Sequence, residues 1–212
     1  MQALEHQQRL FMVESDQIYR AWLDALHHAR SYRYGMRWVS SKGRQYLVRL
    51  HDARGNGKSL GVRGADTEAL FAAFSEGKER AEARLASLAA RMKEQARLNR
   101  AARLGRLPNI VGDILLGLAA ARMEHDFCVV GTHAIHGFEA MAGVHCRMEL
   151  LASGDVDLLY DPRRQLSIVT RKLDGRGLLG LLRKVDPSFA PLNDQPFRAA
   201  NDKGFMVDLE RL

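Results

Sequence analysis

Cysteine is almost missing from this 212-residue chain, with Cys128 and Cys146 as its only two. Two thiols cannot staple a disulfide scaffold, and they suit a reducing compartment. Aromatic residues make up only 7%, which leaves few rings for stacking nucleic-acid bases. No apolar run is long enough to span a bilayer, since the longest, Ile110–Ala121, is interrupted by Asp113. The N-terminal stretch MQALEHQQRLFMVESD has no basic segment leading into an apolar run, so it does not read as a signal peptide. The expectation is a soluble, cytoplasmic protein with no membrane partner.

What the chain does have is an ordinary globular composition, 46% hydrophobic and 27% charged, which supplies a core and argues against wholesale disorder. Its charge is unevenly spread. Residues 1–110 carry 20 Lys and Arg against 11 Asp and Glu, whereas residues 111–212 carry 12 against 14. Of the 32 basic residues 25 are Arg, whose forked guanidinium suits phosphate and carboxylate. A basic N-terminal half attracts nucleotide, RNA or an acidic partner. The plainer reading is a solvated Arg-rich helix face.

Periodicity divides the chain near residue 105. Ser15 or Asp16 is placed to cap a first helix running to Arg30, with Ile18, Trp22, Ala25, Leu26 and Ala29 at helical spacing. Tyr34–Val39 and Gln45–Leu50 then read as a hairpin over Ser40–Gly43, and Arg54–Gly57 turns into a short strand at Ser59–Val62. A long helix is expected from an N-cap at Asp66 to Arg103, stopped by Gly105 and Pro108. Its seam of Phe71, Phe74, Ala81, Leu85, Leu88, Met92 and Ala102 steps by heptads and calls for a partner helix, in cis or across a homodimer. Gly77 leaves a kink open.

Beyond Pro108 the pattern alternates. Helices are expected at Asn109–Arg122, His133–Ala142 and Gly177–Lys184, with strands at Phe127–Val130, Arg147–Ala152, Val156–Tyr160 and Leu166–Thr170. Phe197–Asn201 and Phe205–Leu209 form a hairpin over Asn201–Gly204. The chemistry concentrates here. A buried strand ending in Gly131-Thr132 and entering a helix makes an anion site from backbone N–H groups and one hydroxyl. Asp155 and Asp157, two apart on a strand, share a face and repel unless a cation lies between them, for which Mg²⁺ is the economical choice. Asp208 sits on the face of its strand opposite Phe205, Val207 and Leu209, so adjacent strands would bring three carboxylates together.

Gly131-Thr132, Asp155-x-Asp157 and the later Asp208 resemble the polymerase-beta-type nucleotidyltransferase superfamily. The stretches GTHAIHGFEAMAGV, SGDVDLLYD and NDKGFMVDL, with YLVRL, KSLGVR and the helix ending at Leu107-Pro108 upstream, resemble one bacterial branch of it. Thr132 stands where the superfamily more often has Ser, and it keeps the hydroxyl. The resemblance implies an α+β fold, a mixed sheet flanked by helices and preceded by a helix, a hairpin and one long helix. Residues 1–105 would form the N-terminal region, and 106–212 a catalytic core cut short at its C-terminus. It implies a nucleoside triphosphate substrate and two Mg²⁺ ions held by Asp155, Asp157 and Asp208, with Gly131 and Thr132 cradling phosphates and an acceptor hydroxyl left undetermined. Arg97, Arg100 and Arg103 are candidates for steering the anionic substrate or an RNA acceptor toward the cleft.

Two other readings compete. A catalytically inactive interaction module, antitoxin-like or regulatory, would keep the fold without the reaction. An RNA-modifying enzyme would use the basic half as its grip. Gly55-Asn-Gly-Lys-Ser59 is not a phosphate loop, because the required first glycine falls at Asp52. His133, His136, His145, Cys128 and Cys146 fit no zinc spacing, with Cys128 expected in a buried strand, and Glu139 reads as a surface charge.

Overall fold

The computed structural model describes residues 1–147, 153–160, 177–192 and 195–211. The strand expected at Leu166–Thr170 and nearly all of that at Arg147–Ala152 lie outside them. By its contacts the chain divides into two compact units, Glu14–Arg97 and Met1–Val13 with Leu98–Leu212.

In the first unit the helices α1 (His6–Arg30) and α2 (Ala65–Ala101) contribute residues 14–30 and 65–97. Between them run three antiparallel strands, β2 (Met36–Ser41), β3 (Arg44–Leu50) and β4 (Gly57–Val62), in the order β2-β3-β4. The hairpin turn is tighter than expected. Lys42 and Gly43 alone make it, at φ +49° and +75°, the pair of left-handed residues that matches strand twist. Asp52 builds the next turn by accepting from the Arg54 and Asn56 backbone N–H groups at 3.0 and 2.9 Å.

The helix boundaries differ from expectation for reasons of capping. α1 starts at His6 rather than at Ser15 or Asp16, because the Gln8 side chain accepts the Glu5 N–H at 2.9 Å. At the start of α2 the Thr67 hydroxyl, not Asp66, takes that part, accepting the Gly64 N–H at 3.0 Å. The helix stops before Gly105: Arg103 adopts φ +57°, and the buried Leu104 donates its N–H to the Asn99 carbonyl at 2.7 Å. Of the expected seam Ala81 and Leu88 are buried while Phe71, Phe74, Leu85, Met92 and Ala102 are half-buried, and Gly77 and Gln95 of α2 and Ile18 and Ala25 of α1 are buried as well. Gly77 serves packing. A β-carbon there would lie 2.6 Å from the Tyr32 hydroxyl, and the Tyr32 ring packs tilted against Phe74, 5.1 Å between centroids.

In the second unit, helices α3 (Asn109–Ala120), α4 (Gly131–Ala142) and α5 (Leu178–Val185) accompany five strands. These are β5 (Phe127–Val130), β7 (Asp155–Tyr160), β8 (Ala190–Leu192), β9 (Gln195–Ala200) and β10 (Met206–Arg211), in the order β5-β7-β10-β9-β8. Among the described strands only the β7–β10 pair is parallel, so the sheet is mixed as expected. Sequence reading did not find β8, nor the pairing of β1 (Gln2–Ala3) with β6 (Val144–His145).

One sheet face carries the core. Val156 and Leu158 of β7 and Val207 of β10 pack with Val111, Ile114 and Leu118 of α3, the leucines of α5, and Phe189. α3 and α5 approach closely enough at Gly117 that a β-carbon there would meet Leu181 at 3.0 Å. With the Val156, Leu158 and Tyr160 face of β7 sealed, the residues that alternate with them are turned away from the core.

Candidate active site

The residues turned away are Asp155 and Asp157, both half-buried. Parallel pairing puts Asp208 of β10 directly beside Asp157. One carboxylate oxygen from each of Asp155, Asp157 and Asp208 lies within 4.8 Å of the others, so the three expected carboxylates do converge. Asp208 is the most buried of them, at 6% exposed. Packing so much negative charge has a visible cost. The Asp157 carboxyl titrates above its ordinary range, chiefly through burial and then through the charges of Asp155, Asp208 and Glu210, while His133 opposes the shift.

Gly131 opens α4 beside this cluster at φ +64°. Its lack of a side chain has a specific reason, because a β-carbon would stand 2.1 Å from Asp157 Oδ2. The glycine admits the Asp157 carboxylate to the helix N-terminus. Sequence reading had given it a different task, that of letting the backbone approach a phosphate. Among the described residues no side chain caps α4 at Val130, so the first N–H groups of the helix are left without a side-chain cap, and the half-buried Thr132 is the second residue of that helix.

Three neighbours were not anticipated. Ser153 donates its hydroxyl hydrogen bond to Asp155 Oδ1 and fixes that carboxylate. His133 follows Thr132 on α4 and is 3% exposed, and burial foremost, then His136, pushes its pKa down. The third is Arg198 of β9, which forms a two-pronged ion pair with Asp208, Nε to Oδ1 at 2.5 Å and Nη2 to Oδ2. Antiparallel register sets Arg198 opposite Asp208. The hairpin over Asn201–Gly204 already contained that pairing, since the turn fixes which residues face each other.

Other expectations change. Cys128 is exposed on edge strand β5 instead of buried. Glu139 is no surface charge. It is 6% exposed, takes a 2.6 Å ion pair from Arg106, accepts the Cys146 N–H, and lies 3.3 Å from His136 Nδ1. Arg97, Arg100 and Arg103 are exposed. Arg97 belongs to the unit Glu14–Arg97, while Arg103 lines a cavity whose walls include none of the three aspartates.

Residues 109–211, just under half of the chain, match the sequence model of a family described as nucleotidyltransferase. This segment belongs to the nucleotidyltransferase superfamily. No curated protein and no solved structure matches the chain. Inside the nucleotidyltransferase segment lie all three aspartates, Gly131, Thr132 and Arg198.

Nucleotidyltransferases in general use a divalent metal. The donor set here is carboxylate oxygen throughout, the hard ligand that suits Mg²⁺. Asp155 and Asp157 fit such an ion, since their carboxylates lie side by side, and the charges of Asp155 and Asp208 add to burial in raising the proton affinity of Asp157. Asp208 fits only in part, because Arg198 holds both of its oxygens.

Proposed function

We propose that the nucleotidyltransferase segment transfers a nucleoside monophosphate from a nucleoside triphosphate to a hydroxyl acceptor, with Mg²⁺ held by Asp155 and Asp157 and a second ion shared with Asp208. The observation that carries this reading is the convergence of three carboxylates beside the uncapped N-terminus of α4. Divalent ions bound there would neutralise the triphosphate and activate the attacking hydroxyl. The backbone N–H groups opening α4 and the Thr132 hydroxyl donate to the phosphates of the leaving pyrophosphate. Ser153 holds Asp155 in its ligating orientation. Once Arg198 has turned away, Asp208 takes the proton of the acceptor hydroxyl. A bond forms from that oxygen to the α-phosphorus, the α–β bridging bond breaks, and pyrophosphate departs.

The test is isothermal titration of the protein with a non-hydrolysable nucleoside triphosphate, with and without Mn²⁺, followed by an assay of pyrophosphate release across hydroxyl acceptors. Metal-dependent triphosphate binding that Asp157→Asn abolishes is the expected result. Equal affinity in wild type and Asp157→Asn would sink the proposal.

A second reading has its own observation. The Arg198–Asp208 pair occupies the carboxylate that the second ion and the proton transfer both require. A chain in which that pair never opens binds nucleotide without turning it over, as an interaction module would. Triphosphate binding without pyrophosphate release, unchanged by acceptor, marks this case.

A further inference from the structure

Away from the acidic cluster, a cavity of about 420 Å³ is lined by Met1, Gln2, Arg103, Arg106, His145, Cys146 and Arg147. Four of these seven side chains are basic, and no carboxylate is among them. Arg106 is spoken for in part. Its two terminal nitrogens donate to the Cys146 carbonyl at 3.0 and 2.9 Å, and one of them also to Glu139 at 2.6 Å. Among the described residues its buried Nε has no hydrogen-bond partner, and neither has either ring nitrogen of His145. Arg103 and Arg147 are exposed, and among the described residues neither forms an ion pair. Three of the six buried side-chain nitrogen and oxygen atoms that lack a partner among the described residues therefore lie at this cavity, whereas folded proteins pair nearly all such atoms.

We infer that this cavity is a second anion site, one that takes a phosphate group, free or carried on a small molecule. Arg103 and Arg147 supply the uncompensated charge, and forked guanidinium groups match tetrahedral phosphate oxygens. Arg106, anchored by Glu139 and the Cys146 carbonyl, is a rigid wall whose Nε still lacks an acceptor. His145 lies beside it, its pKa pushed down by burial first and by the Arg106 charge second. The volume exceeds what one phosphate needs and leaves room for a sugar-sized body. The site is separate from the triphosphate end of α4. Thr132 lies in the first turn of that helix, and His145 and Cys146 follow its C-terminus, about 18 Å away along twelve residues of helix.

Inorganic phosphate and ribose 5-phosphate, titrated calorimetrically in EDTA at low salt, test this without engaging metal-dependent nucleotide binding. Saturable binding is expected, at least tenfold weaker in R103Q/R147Q, unchanged in T132V, and weakened by added salt. Tighter binding of ribose 5-phosphate identifies a phosphorylated small molecule as the occupant, and equal binding identifies free phosphate. Circular dichroism of R103Q/R147Q confirms the fold, since both side chains are exposed. Undiminished affinity in R103Q/R147Q, loss of affinity in T132V, or no saturable binding by wild type overturns the proposal. None of these outcomes depends on whether the aspartate cluster is catalytic.

Discussion

The two units hold their charges in opposite ways. In Glu14–Arg97 the ion pairs Arg20–Asp16, Arg63–Glu68 and Arg80–Glu76 all have side chains roughly half exposed or more. In the other unit the side chains of Arg106 and Glu139 are 17% and 7% exposed, and that of Asp208, paired with Arg198, is 9% exposed. Water screens the first set, so its members matter little to stability. The second set has surrendered its water, and each member depends on its partner. A chain with so many arginines can scatter them for solubility. It has no such reason to bury carboxylates beside one another, and that is why the function is sought in the second unit.

The sharpest way to break this contrast is Asp157→Asn. Transfer activity should fall at least about a thousandfold, on the order of 4 kcal/mol of barrier. Stability of the metal-free protein should move the other way. Because the folded-state pKa of Asp157 is raised, the group favours folding in its protonated form, and that contribution fades as pH rises through the raised value. At neutral pH the ionised carboxylate is a cost, and the amide removes it. Thermal melts in EDTA should show Asp157→Asn melting about 1–3 °C above wild type near pH 7, with the gap closing toward pH 4. A lower melting temperature at pH 7 would mean that the carboxylate stabilises the fold instead.

Next in size comes Arg106→Ala, which strands the buried Glu139 charge. Unfolding in urea should show a loss of about 3–5 kcal/mol, the usual result of removing one partner from a buried pair. Glu139→Gln should cost less, because the amide still accepts from Arg106. A loss below about 1 kcal/mol for Arg106→Ala would erase the distinction between the two units.

How far the sequence carried these conclusions depends on the kind of signal. Strand alternation in Asp155–Tyr160 and Phe205–Leu209 was legible, because a sealed core face forces period two on the residues. The aspartate cluster followed from that alternation once the strands were adjacent. Helix ends were less legible, since capping fell to Gln8 and Thr67, side chains reaching back by three residues, and to Arg103 in a conformation usually left to glycine. Glu139 was misjudged because its burial depends on Arg106, 33 residues earlier, and no local pattern records that. Arg198 faces Asp208 across the hairpin, a pairing that the turn register encodes and that apolar alternation does not mark.

Gly77→Ala sharpens the contrast from the other side. The added methyl meets the Tyr32 hydroxyl at 2.6 Å, and the ring is wedged against Phe74. Repacking should cost about 1–3 kcal/mol, offset in part by the better helix propensity of alanine. Nucleotide affinity of the folded protein should not change, because no residue of the proposed triphosphate site lies in Glu14–Arg97.

The smallest effect is expected from Arg80→Ala, and its smallness is the point. Arg80 and Glu76 lie one helical turn apart on α2, 3.2 Å between charged atoms, with side chains 71% and 67% exposed. The pair's charged atoms are 3.2 Å apart against 2.6 Å in Arg106–Glu139, a small difference beside the difference in exposure. Its attraction acts through water, and ordering two long side chains offsets most of what remains. Alanine also restores some helix propensity. The net change in urea unfolding should stay within about 0.5 kcal/mol, several-fold below that of Arg106→Ala. A cost of 2 kcal/mol or more, estimated against that same exposed-pair scale of ~0.5 kcal/mol, would show that this face of α2 is covered by something in solution. The exposed arginines along it would then be an interface, and the Glu14–Arg97 unit would hold a recognition role of its own.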